Sequence, residues 1–248
     1  MMTDNQKREL TEEYILAASD VRKLISETAT FCQSLKHAKA IDHCRHGLTR
    51  RMFLLTRCLE QFLNISPPQR TEHLKMEEKY DLDIFLHAFL MNISGGINNL
   101  AWILFYEKGV CEKEDEKRFK RNINLFNKEF QRYSNETIIK KCDDYKDWHK
   151  NLTNFRDPIA HRIPPYIIPS IMNDAETEKH RKLWNDFFKT KDLDKRNIIL
   201  NDMDKIGVYE PTYTHSYVEK SDIIFFHPRN ISDIKIFKDI VETVINNF

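Results

Sequence analysis

Arg156 and His161 stand five positions apart in "NFRDPIAHRIPPYIIPS" (154–170), separated by Pro158 and with Asp157 beside the arginine. These residue types suit a phosphodiester. An arginine is a planar, permanent cation that grips phosphate oxygens in a bidentate manner. A histidine takes or gives a proton near neutral pH, and an aspartate can orient its imidazole. The same segment also reads as architecture. Arg156 would then stabilise the last carbonyls of the preceding helix. Asp157-Pro158 would open a turn, and His161 would bond a buried carbonyl. Ile163, Tyr166 and Ile167 would pack down as an extended strap. Both readings stay open on spacing alone.

Catalysis by this trio needs a scaffold, and the patterning predicts helices. One covers 8–27 and one or two more cover 29–64, where Met52, Leu55, Leu59, Phe62 and Leu63 recur at helical spacing. Pro67-Pro68 end that run. A helix follows over 72–108, with Gly95-Gly96 as its weak point. Two more are expected over 114–131 and 134–155. Pro158 pushes Asp157 out of the α region, so the last of these should end there, with His161 just beyond. After the strap come a helix over 174–190, a small hairpin within 205–228 and a terminal helix capped by Asn230 or Ser232. The expected fold is mainly all-α: a helical bundle over 1–165 and a C-terminal extension over 166–248.

Composition narrows the partners. There are 39 Lys+Arg and 38 Asp+Glu, for a net charge of +1, so no global field draws polyanions. The basic stretch His43, Arg45, His46, Arg50, Arg51, Arg57 reads as a solvated helix face, of interest for RNA if it lies beside Arg156. Five scattered cysteines form no CxxC and no metal spacing, which suggests free thiols in a reducing cytoplasm. Residues 84–106 carry no Asp, Glu, Lys or Arg and are long enough to span a bilayer. His87, Asn92, Asn98 and Asn99 favour a core helix there, and no membrane association is expected. Trp102, Trp148 and Trp184 are expected in the core. His215, His227 and Asp233 lack diagnostic metal spacing and read as turn and cap residues. No cofactor and no metal site is expected, since no GxGxxG, P-loop or HExxH pattern occurs.

The R-x4-H pattern of Arg156 and His161, with a polar residue after the arginine, resembles the signature of the HEPN superfamily (higher eukaryotes and prokaryotes nucleotide-binding). That resemblance implies an all-α bundle and a metal-independent endoribonuclease, or else an RNA- or nucleotide-binding protein. It implies that Arg156 holds the phosphate and that His161 assists attack by the RNA 2′-hydroxyl or protonates the leaving oxygen. Two such motifs across a homodimer, and a role in stress or phage defence, come with it. The longer string also resembles a group of bacterial proteins of unknown function, in a likeness that extends to "PTYTHS" and "FHPR" and carries no activity. The competing expectation is a non-catalytic helical interaction protein.

Overall fold

The computed structural model describes residues 3–216 and 222–248. Helix α1 (Asp4–Ser34) starts at a capping box, in which the Thr3 hydroxyl accepts from the Gln6 amide and Gln6 Oε1 accepts from the Thr3 amide. After a short break come α2 (Ala38–Asp42), a π-helical turn (His43–Leu48) and α3 (Thr49–Ile65), one following the other without a gap. The long α4 (Met76–Glu107) follows. Short pieces α5 (Val110–Lys113), α6 (Glu116–Phe119) and α7 (Lys128–Gln131) lead to α8 (Glu136–Asp144) and α9 (Lys146–His161). Strand β1 (Tyr166–Ile171) precedes α10 (Asp174–Lys189) and α11 (Leu193–Met203). Strands β2 (Val208–Thr214) and β3 (Ile224–Phe225) and helix α12 (Phe226–Asn246) complete the chain.

Helix α4 is the hub. It packs on α2, α3, α9, α12 and β1, and it buries Leu82, Leu86, Phe89, Ile93, Ile97, Leu100 and Leu104. Its charges sit at the two ends, and the uncharged stretch 84–106 is the part most buried against these neighbours. Of the chain after Pro165, α12 completes the bundle by packing on α1, α4 and α8, while α10 and α11 pack chiefly on each other. At the α4–α12 crossing, a Cβ on Gly96 would lie 2.7 Å from Phe237 Cε2, so only glycine allows that approach.

The mainly helical fold and the terminal helix agree with the sequence, and several details correct it. The small β region has one strand more than the expected hairpin. The strap after α9 forms β1, which pairs antiparallel with β2, and β2 pairs with β3, in a three-stranded sheet ordered β1-β2-β3. Pro169 sits where the β1–β2 register shifts, a place that needs no amide donor. The turn of the expected hairpin, 217–221, lies outside the described residues. The expected helix over 114–131 is broken, because asparagine side chains compete for its amides: Asn124 Oδ1 accepts from Phe126, and Asn127 Oδ1 caps α7. Helix α12 starts earlier than expected. Pro228 falls in its first turn, where a missing amide proton costs nothing, and Asn230 is buried inside it. Trp184 is 46% exposed and not a core residue.

The exclusion of a membrane, and with it the cytoplasmic assignment, is also corrected. Helix α4 has 32 residues, its most apolar window reaches a mean hydropathy of 1.3, and 67% of that window is buried in the fold. By length and composition it passes for a membrane-spanning helix, as the core helix of a water-soluble protein also does.

The start of α12 buries polar groups. His227 is 2% exposed, with Nδ1 3.1 Å from the Tyr14 hydroxyl, and burial pushes its imidazole down to about 3. A group whose folded pKa is depressed adds stability above its unfolded value, here 6.5, that is lost as pH falls. Between pH 7 and pH 5 the wild type should therefore lose about 2 kcal/mol relative to His227→Gln, which has no imidazole to protonate. Urea titrations of both proteins at the two pH values measure this. A stability difference that stays constant with pH would contradict it.

Candidate functional site

The site is organised by the end of α9. The helix does not stop at Asp157 but runs through Pro158 to His161, with the Arg162 amide donating to the Pro158 carbonyl at 3.0 Å. Phe155 and Pro158 are buried, which holds the last turn in place, while Asn154, whose carbonyl loses its partner to Pro158, is exposed to water. Two bonds from α4 anchor the chain beyond the helix. His87 Nε2 lies 2.6 Å from the Pro165 carbonyl oxygen, and the Ile167 amide donates to Asp83 Oδ1 at 2.6 Å.

Helical continuity decides which residues meet. Five positions along a helix rotate a side chain by about 140° from its starting direction, so Arg156 and His161 leave different faces. Arg156 pairs with Asp157, Nη1 to Oδ1 at 3.0 Å, and its Nε is buried without a partner among the described residues. Its charge lies near His149, two turns back on the same side of the helix, whose imidazole burial and that arginine together push down to about 4. The ring of His149 stacks on Phe126 at 3.9 Å.

His161 instead opens onto a groove of about 510 Å³. Asp157, Arg162 and His215 line the same groove, with Asn151 and Asn154 on its wall. His215 is carried there by the end of β2, and its ring meets Phe155 edge-on at 5.7 Å. Of the three residues singled out in the sequence, the groove collects Asp157 and His161, and Arg156 touches it only through its ion pair with Asp157. Sequence reasoning missed Arg162 and the placement of His215. Arg162 adjoins His161 in "AHR", but nothing in spacing alone says that a residue 54 positions downstream returns to the same place. Only the β1–β2 pairing does that. Arg162 makes no ion pair among the described residues, so its charge is available to a ligand.

Among the described residues, no three His, Cys, Asp or Glu side chains gather as a metal-binding group. His227 and Asp233 are buried in α12, apart from the groove lining. All five cysteines are free, four of them buried, and burial pushes the thiols of Cys58 and Cys142 up to about 12. The four buried thiols are packing groups rather than nucleophiles. Comparison with protein-family models, curated proteins and solved structures finds no match to the chain. The fold and the groove define a mainly helical protein with a small antiparallel sheet, which delivers two histidines, an arginine and two aspartates (Asp157 and Asp222) to one groove.

Proposed function

We propose that the chain is an RNA-directed protein that cleaves phosphodiesters at this groove without a metal, in the manner of the HEPN nucleases its R-x4-H segment resembles. The observation that carries the reading is the gathering of His161, His215, Arg162 and Asp157 around one opening. Two imidazoles supply the two proton transfers that transesterification needs. One takes the proton of the RNA 2′-hydroxyl as its oxygen attacks the adjacent phosphorus. The other protonates the departing 5′-oxygen. The P–O2′ bond forms and the P–O5′ bond breaks, leaving a 2′,3′-cyclic phosphate and a 5′-hydroxyl, with no net change in protons. Arg162 is the cation placed to hold the phosphate. Arg156 is a positioning residue that holds Asp157.

A second reading is favoured by the burial of Phe155 and Pro158 and by the two bonds anchoring the strap to α4. In it the segment is architectural, and the chain is a helical interaction protein. RNA incubated with the wild type in EDTA, beside thermal melts of wild type and Arg156→Ala, separates the two. The catalytic reading expects metal-free cleavage. The architectural one expects none, together with a loss of about 1–3 kcal/mol in the variant.

A further inference from the structure

Arg51 is a half-buried guanidinium with no carboxylate opposite it among the described residues. Its Nε donates to Asn99 Oδ1 at 3.0 Å, and its Nη1 to Asn92 Oδ1 at 3.2 Å. Two glycines make the room. A Cβ on Gly95 would lie 2.3 Å from Arg51 Cζ, and one on Gly47 would lie 2.3 Å from Asn99 Nδ2. Gly47 belongs to the π-helical turn, a distortion that recurs at functional sites. The neutral amides fix the direction of the guanidinium without neutralising it. Its Nη2 makes no hydrogen bond among the described residues.

The seam between α3 and α4 continues this pattern. Asn99 Nδ2 lies 3.2 Å from His43 Nδ1, and the His43 ring lies parallel to Trp102 at 5.3 Å. Trp102 stacks in turn on Tyr106, over which Lys39 Nζ sits at 4.9 Å. Of these rings His43 and Trp102 are partly exposed and Tyr106 is buried beneath Lys39, so the row has a cation at either end. The charge balance is one-sided. Lys39, Arg45, Arg50, Arg51 and Arg57 lie between Ala38 and Gln61, against only Asp42 and Glu60. Glu60 already bridges Arg22 and Arg57, and Lys39 pairs with Glu116. Arg45 and Arg50 are exposed, and with Arg51 they make no ion pair among the described residues. The facing stretch of α4, 84–106, carries no charged residue of either sign.

We infer that this seam is a phosphate-recognition surface for the backbone of a single-stranded nucleic acid, with Arg51 as its oriented cation and Arg45 and Arg50 beside it. Backbone cations next to exposed rings are how strands are held without sequence preference. The inference does not rest on the His161 groove: α3 and α9 each pack on α4, with no substantial contact between them. Phe53 and Leu54, 60% and 52% exposed, flank the arginines and would also suit an anionic membrane, so that occupant belongs in the test.

A labelled oligodeoxythymidylate is the probe, because it lacks the 2′-hydroxyl and cannot be cleaved by the chemistry of the groove. Binding is read by fluorescence anisotropy at about 50 mM salt and upward. The wild type should bind, and Arg51→Gln and Arg50→Gln should each weaken binding about 5-fold or more and lower the log–log salt slope by about 0.7. Arg50 is exposed, so its variant remains informative if Arg51→Gln loosens the helix seam. Binding should survive millimolar inorganic phosphate. Absence of wild-type binding, unchanged binding in both variants, or complete displacement by phosphate would overturn the assignment. So would capture by phosphatidylserine vesicles without binding to the oligonucleotide.

Discussion

His161→Ala is expected to cleave RNA in EDTA at least about 10²-fold more slowly than the wild type while melting at the same temperature. The rate effect follows from its role. A proton-transfer group acts mainly on the transition state, so its loss lowers the rate far more than the affinity. The unchanged melting temperature follows from its setting. His161 is exposed at the last position of α9, and no packing depends on it. His215→Ala should show a comparable rate loss. If the two imidazoles act as a unit, the double variant should be little slower than either single one. Single-turnover assays beside circular dichroism melts test this. A His161→Ala protein that retains wild-type cleavage would remove the residue from the mechanism.

Asp233→Ala is expected to lose about 3–5 kcal/mol of stability. Asp233 is fully buried, and its Oδ1 accepts from Trp148 Nε1 and from Arg229 Nε, both at 2.7 Å. It therefore ties α9 to α12 through one atom. Burial pushes its carboxyl up to about 6, against the pull of Arg229, so it is mostly ionised at pH 7. Truncation leaves the arginine charge uncompensated and the indole N–H without its acceptor, which is costlier than the interaction itself. For a chain of this size the melting temperature should fall by about 10 °C. Asp233→Asn, which keeps the acceptor oxygen, should lose less. Equal losses in the two variants, or a loss in Asp233→Ala below about 1 kcal/mol, would show that the carboxyl does not hold the two helices together.

The long helices were legible because their apolar residues repeat at helical spacing, and α4 stood out because 84–106 carries no charge. Pro158 misled the reading of α9. The rule that proline ends a helix yields here to the burial of Phe155 and Pro158, which holds the final turn together. That single difference separates Arg156 from His161. The sheet was half visible: the β-branched and aromatic run after Gly207 predicted the β2–β3 pair, but the third strand is the strap, more than thirty residues upstream in the chain. Local propensity carries no information about such a pairing. His215 could be seen only as an isolated histidine, because its place on the groove of His161 is a product of that register.

The account rests on the groove at the end of α9 being a site of metal-free RNA transesterification. The most direct measurement is an analysis of the product ends after incubating the wild type with RNA in EDTA. The account predicts cleavage with 2′,3′-cyclic phosphate and 5′-hydroxyl termini, and no cleavage of a substrate lacking the 2′-hydroxyl. Intact RNA after incubation with folded protein, or products ending in 5′-phosphate, would contradict it.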